Sequence, residues 1–426
     1  MCSSSGKRAI AFAGALAVGS VACTEGGPPA GEVMVARSDS SGVEIVVISA
    51  ERTSIPVAAT LDSVAALRLG SPMGHAEEQF GAIGDVVATG DGGIAVLDVQ
   101  AAEVRLFDET GQFQATLGRK GDGPGEFRSP IDLALLPGDT LAVYDPVPGR
   151  ITRFGPNSST SRVTTLAKVE TQVSDGRFLR DGQLVGQSHW LDPDGVAPPA
   201  GEPTLVRNTV ALTLFDGMGQ VVDTIDIVPS LEEIVSIQMI GGRVSVLKRP
   251  PAFGRDNLFA PVESGTWSSE NDRFELRLRE TSTGRLLRIV RAPSLELRTT
   301  EEMAQEIRER VLAGAETAQE RALMETWFSL SPRPELQPSF DAFASDDAGR
   351  LWVREWTPFQ DGTRWWVFEP DGDLLGAVDA PRGMRITSAT CTSVLGVERD
   401  ALGVEYAVRY ALHESVLCRP SGALSN

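Results

Sequence analysis

A run of alternating apolar residues that ends in aspartate recurs in this chain, each time after a glycine-bearing turn and before an aromatic at a fixed distance. Gly93-Ile94-Ala95-Val96-Leu97-Asp98 is followed nine residues beyond its aspartate by Phe107, and Gly138-Asp139-Thr140-Leu141-Ala142-Val143-Tyr144-Asp145 is followed at the same distance by Phe154. The two copies stand 47 residues apart. A period of that size built from short strands marks a repeat architecture, in which no unit buries its apolar face alone and neighbours must stack.

The second half of the unit recurs more widely. Leu106-Phe107-Asp108-Glu109-Thr110-Gly111-Gln112-Phe113 returns as Leu214-Phe215-Asp216-Gly217-Met218-Gly219-Gln220-Val221, and more loosely as Val367-Phe368-Glu369-Pro370-Asp371-Gly372-Asp373-Leu374. A degenerate copy begins at Glu275-Leu276-Arg277-Leu278-Arg279 and turns at Gly284. Each copy is a hairpin with one buried face. Pairing the hairpins with upstream strands at 85–88, 131–135 and 343–345 gives four antiparallel strands per unit, the composition of a propeller blade. The fold class is therefore all-β, a six-bladed β-propeller of four-stranded antiparallel blades, placed near 80–118, 127–168, 176–228, 253–292, 339–378 and 384–412. An N-terminal strand, from 43–48 or 65–69, is expected to complete the last blade, because a ring must hide its open edges. Truncation at Gly81 is expected to expose that edge. Between blades four and five, Thr299-Thr300-Glu301-Glu302 reads as a helix-capping box, and Met303, Ile307, Val311, Ala318, Leu323 and Trp327 follow at helical spacing, so 299–330 is a helical insert broken near Gly314. The stretch 191–204, rich in Pro, Gly and Asp, reads as a loop.

The segment Gly118-Arg119-Lys120-Gly121-Asp122-Gly123-Pro124-Gly125-Glu126-Phe127, with Pro130 beyond it, resembles the inter-blade linker of six-bladed propellers of the NHL type. The Asp98 and Asp145 strands resemble the blade core of the same group. The resemblance is strong over 80–156, and it implies a toroid with a central channel and a ligand-facing surface of loops. It implies no activity, because propellers host scaffolds, carbohydrate readers and hydrolases alike.

Lys7-Arg8, an apolar run over 9–18 and the small residues Ser20-Val21-Ala22 before Cys23 read as a signal peptide over 1–22, too short in its apolar run to span a bilayer. Two fates are open at Cys23: lipidation as the first residue of a bacterial lipoprotein, or plain cleavage and secretion. Of the four cysteines, lipidation of Cys23 leaves Cys391 and Cys418 as a closed pair in an oxidising compartment, and that arithmetic favours it. The remaining division is a flexible tether over 23–42, the propeller over 43–420 and a tail over 421–426. The expected location is the periplasm or outer membrane, held by the lipid anchor alone, or else the secreted medium.

A formal net charge of -19 excludes a nucleic-acid partner, whose phosphates need a basic surface. His75, His189 and His413 are too scattered for a multi-histidine metal site. Asn157, Asn208, Asn257 and Asn271 share no blade position that would build a calcium site. No cofactor is expected, with Ca2+ the one exception such a channel admits. Asp98 and Asp145 are read as acceptors for turn amides rather than as catalysts. The linker glycines supply turn dihedrals and Phe127 fills the gap between blades. The candidate binding residues are Arg119, Lys120 and Arg128 of that linker, Arg255 of Phe253-Gly254-Arg255, and Trp352, Arg354 and Trp356 on one face of a strand beside Trp365-Trp366.

Two function classes follow. The preferred one is a monomeric binding or scaffold module of the cell envelope, whose partner is a small ligand, glycan or peptide, or another envelope protein. Positive charge at the linkers points to acidic sugars or carboxylate-bearing peptides. The alternative is a hydrolase or lyase that uses channel carboxylates with a bound divalent metal.

Overall fold

The computed structural model describes residues 33–156, 161–169, 172–190, 202–240, 243–358 and 362–418. The signal segment, Cys23, Asn157 and the tail lie outside them, as does most of 191–204.

Each alternating run pairs with the next through a tight turn. In blade one, Ile83–Ala88, Ile94–Asp98, Glu103–Phe107 and Phe113–Leu117 form one antiparallel sheet. Its last turn is fixed by Asp108, whose carboxylate accepts from the backbone N–H of Thr110 and Gln112, while Gly111 takes φ +87°. Asp216, Met218, Gln220 and Gly219 rebuild that turn in blade three. Local chemistry thus sets the hairpin repeat.

Six sheets result. Their innermost strands are Ile83–Ala88, Asp132–Leu136, Val173–Phe178, Asn257–Val262, Phe340–Ser345 and Arg385–Ala389, and each contacts the next in a closed cycle. This is a six-bladed β-propeller. Both faces of a blade are covered by its neighbours, so the core lies between blades. Phe127 is fully buried between blades one and two and meets Phe154 edge-on at 6.1 Å between ring centroids. Asp98 accepts from the backbone N–H of Gly81 and Ala101, and Asp145 from those of Arg128 and Ser129, in the turn-holding role expected of them.

Three of the six sheets exceed four strands, those of blades three, four and six. Blade three runs on through Val221–Ile240 into Arg243–Arg249, so it extends well past the expected boundary at 228. After blade four come helices α1 (Glu301–Ala313) and α2 (Ala318–Leu330). Thr300 caps α1 by accepting from the Met303 N–H, but the complete capping box belongs to α2, at Thr317 and Glu320. Ala304 and Ile307 of α1 pack with Phe253, which precedes the inner strand of blade four, and with Trp356.

The N-terminal segment corrects one expectation and decides between the two alternatives of another. Residues 34–40 are not part of a loose tether: Met34–Ser40 pairs with Val43–Ser49, and the latter lies parallel to Leu286–Arg291 at the outer edge of blade four. Of the two candidate closing strands, Leu67–Leu69 pairs with Glu405–His413 and completes blade six. Between them the chain crosses blade five, where Pro56 and Ala58 exchange backbone hydrogen bonds with Ala377 (Ala58 N–H to Ala377 O, 2.8 Å; Ala377 N–H to Pro56 O, 2.8 Å). Residues 43–69 therefore form a strap around the rim of three blades. In blade six, Cys391 and Cys418 are joined by a disulfide with Cα atoms 4.7 Å apart. No helix among the described residues is long and apolar enough to cross a membrane.

Candidate functional site

Successive blades place all six inner strands in the same direction, so their first residues share one end of the channel. Five of those beginnings carry aspartate: Asp85, Asp132, Asp175, Asp256 and Asp341. The sixth carries Arg385. All six line a central cavity of about 700 Å³, and the wall beyond them is largely apolar, with Leu133, Phe259 and Phe343 among its residues. Strand alternation brings Arg177 to the same end. The extensions of blade three and the α1–α2 insert also rise at this end, since Phe253 precedes an inner strand and Trp356 follows the Leu351–Glu355 strand that runs back to it.

The six groups are held differently. Asp85 accepts from the backbone N–H of Val86 and, across to blade two, of Leu133 at 3.3 Å. Asp132 reaches the N–H of Phe178 on blade three in the same way, at 3.3 Å. Arg385 closes the ring by donating to the carbonyls of Ile83 (2.8 Å) and Gly84 (2.9 Å). Arg177 pairs with Asp175 at 2.5 Å and stands 3.8 Å from Asp132. Asp341 pairs with Arg354 at 2.5 Å. The Asp256 carboxylate accepts only the N–H of Asn257, at 2.8 Å, and makes no ion pair among the described residues.

Burial in the channel wall governs their ionisation. It pushes Asp85 up to about 6 against the pull of Arg385, and Asp256 up to about 6 as well. Burial also raises Asp132 well above the usual carboxylate range, although Arg177 opposes it. For Arg177 burial works against the charge, yet Asp175, Asp132 and Asp85 together raise its pKa. Its side chain is 43% exposed, but towards the lumen, which it lines.

One consequence is a pH-dependent cost at Asp256. Its folded-state value of about 6 exceeds the ordinary 3.8, so the folded protein holds that proton more tightly than the unfolded chain. The stabilising contribution is fully present below pH 3.8 and is lost as pH rises through about 6. Asp175 adds to the cost and Arg207 relieves it. Asp256→Asn is expected to raise the unfolding free energy at pH 7.5 by about 1–2 kcal/mol, the full shift being discounted for lumen water. The gain should vanish near pH 4. Denaturant melts across that range test this, and a variant less stable than wild type at pH 7.5 counts against it.

The binding residues expected from sequence do not converge here. Arg119 pairs with Glu126 at 2.7 Å and Arg128 with Asp122, both inside the same linker, and Lys120 is exposed beside them. Arg255 meets the buried Glu232 of the long blade-three strand at 2.8 Å and ties that blade to the start of blade four. Linkers do lie at the aspartate end, because each outermost strand finishes there, but at the rim. Trp352 is fully buried between blades five and six, its indole N–H on Asp346 at 3.3 Å, so it is no stacking platform. Trp356 packs on Phe253, 5.7 Å between centroids. Only Arg354 reaches the channel groups, through Asp341.

Two of the asparagines stand near this end of the channel. Asn271 accepts from the Asp256 N–H at 2.9 Å and so stands in blade four where Asp98 stands in blade one. Asn257 lines the cavity. Among the described residues no three of His, Cys, Asp and Glu converge in a metal-ligand set. His413 instead pairs with Asp62 at 2.7 Å.

A family model described as 6-bladed beta-propeller matches residues 47–174. No curated protein matches the sequence. Among solved structures, the chain is similar to a Bacteroides fragilis protein described as exported, at 10% identity and TM-score 0.43, covering 83% of this chain and 97% of that one. It is similar to virginiamycin B lyase from Staphylococcus aureus at 11% identity and TM-score 0.37, covering 81% and 98%. The calcium-binding protein regucalcin of Agrobacterium tumefaciens is similar at 11% identity and TM-score 0.37, covering 82% and 95%. At these levels the likenesses carry no activity to this chain.

Proposed function

We propose that this chain is an exported binding propeller of the NHL-like type that takes a small ligand into the aspartate end of its central channel. The observation that carries the reading is the channel itself: a cavity of about 700 Å³ whose wall mixes polar and apolar surface in nearly equal measure and whose one end gathers five aspartates, Arg177 and Arg385. That size and mixture suit a small-molecule site. Export rests on the charged start, apolar run and small residues before Cys23, with a lipid on Cys23 as the membrane anchor and the ring working as a monomer. The rim arginines serve the scaffold in this reading, and the partner meets the channel.

Ser388 lines the channel and lies on the inner strand of blade six. Ser388→Phe is therefore expected to fill the lumen while the ring stays folded. Compounds that raise the melting temperature of the wild-type protein in a screen of glycans, peptides and small metabolites should lose their effect on this variant. A hit that stabilises both proteins equally places the ligand elsewhere. Stoichiometric calcium or zinc in the purified protein would instead favour a metal-dependent hydrolase or lyase.

A further inference from the structure

We infer that the channel ligand carries a protonated amine beside an acceptor oxygen, an inference that rests on the channel being the binding site. The charge census of the aspartate end sets the sign. Among the described residues, Arg177 is engaged by Asp175, Arg385 by two backbone carbonyls and Arg354, behind the wall, by Asp341, which leaves no arginine of that end poised for an anion; Arg180, the third arginine of the lining, donates to the Asp347 carbonyl at 2.9 Å. Asp256 is the opposite case: a carboxylate in the wall whose one hydrogen-bond partner among the described residues is the adjacent backbone N–H, with Arg207 relieving its charge from farther off. Buried charge of that kind is held only where something compensates it. This reverses the sign drawn from the rim arginines, each of which has a carboxylate of its own.

Asn257 supplies the second half of the recognition. It lines the cavity, is 5% exposed, and its Nδ2 has no hydrogen-bond partner among the described residues. An orphaned buried donor is costly, so an unpartnered amide beside a carboxylate that Arg207 only partly relieves fits a ligand that brings acceptor and cation together. A peptide amino terminus, with its ammonium next to a carbonyl, has that chemistry, and an amino sugar, with its ammonium next to hydroxyls, has it too. The apolar wall at Phe259 and Phe343 accommodates whatever follows the head group.

Calorimetric titration of the full-length protein at pH 7.5 tests this with Ala-Ala-amide and glucosamine as probes, their N-acetyl derivatives as neutral controls, and Ca2+ alone as a third arm. At least one amine probe is expected to bind about tenfold or more tightly than its acetylated form, the margin of one charge-assisted hydrogen bond. The amine that binds identifies the source. Asp256→Asn should erase that preference while the variant melts no lower than wild type, and Asn257→Ala should weaken binding of both forms. Equal binding of acetylated probes, an unchanged preference in Asp256→Asn, failure of both amines to bind, or stoichiometric Ca2+ lost on Asp256→Asn each overturns the inference. The Ser388→Phe protein separates the two levels. If acetylated probes bind and are lost there, the channel stands and the amine falls; if bound probes survive there, the channel reading falls.

Discussion

A chain that begins at Gly81 will fail to give a folded monomer, because it lacks the whole strap. Val46, Ile48, Ile55 and Leu69 are each less than one-tenth exposed, and Ala58 and Ala59 lie fully inside the seam between blades five and six. At about 1.5–3 kcal/mol for each of the four larger side chains, their burial supplies roughly 6–12 kcal/mol, which matches the total stability of an ordinary domain. The loss also uncovers the outer edges of blades four and six, and bare edges invite pairing between chains. Arg37 and Glu44 would go too, breaking a bridge from Glu44 to Arg288 at 2.6 Å and from Arg37 to Asp373 at 2.6 Å. Size-exclusion chromatography with near-ultraviolet circular dichroism decides the point. A monomer with native tertiary signal would show that the ring closes without its N-terminal strands.

A single methyl group should do a good part of the same damage at blade five. Gly376 takes φ +152°, a region that side chains do not tolerate, and a Cβ there would stand 2.4 Å from the Pro56 carbonyl oxygen and 3.0 Å from the Ala58 nitrogen. Neither of these atoms can swing away, since both belong to the strap backbone at its crossing. Gly376→Ala is expected to cost about 4 kcal/mol, combining backbone strain with a displaced strap. Thermal or denaturant melts measure it, and protease sensitivity should rise first between residues 50 and 60. Gly403→Ala is a fair comparison, since its φ of +83° is also positive but nothing lies within 4 Å of the added carbon. It should cost only the local strain, and equal losses at the two sites would refute the role of the strap.

The ring was legible where blades are regular. Blades one and two carry no inserts, so Asp98, Asp145 and Phe127 could be placed from spacing alone, and the structure gives each the expected hydrogen bonds or packing. Alternation also grouped Trp352 with Arg354 correctly, but exposure did not follow, because in a stacked ring both faces of a blade are core. The strap was missed in part because a parallel strand added from 244 residues away leaves no local mark. The aspartates of the inner strands were the largest omission. They recur as Asp85-Val-Val-Ala, Asp132-Leu-Ala-Leu, Asp256-Asn-Leu-Phe-Ala and Asp341-Ala-Phe-Ala, a pattern present in the sequence. Bulges at 83/85, 173/175 and 340/342 slip the phase at those positions, so strict alternation assigns the side chains to the wrong direction.

The strap also dictates an order of events during synthesis. Glu44 leaves the ribosome 244 residues ahead of Arg288, its partner in blade four, and Leu67 far ahead of the strand that it closes in blade six. At ordinary elongation rates the first of these intervals is roughly ten to fifty seconds. Throughout it Val43-Glu44-Ile45-Val46-Val47-Ile48 is an apolar strand with nothing to pair with but Met34–Ser40. These early strands are thus seated long after they are made, and the ring cannot lock until the final blade has been delivered. Under the proposed export, passage across a membrane in the same N-to-C order would keep that delay against premature closure, and the earliest strands would be the ones a holding chaperone must cover.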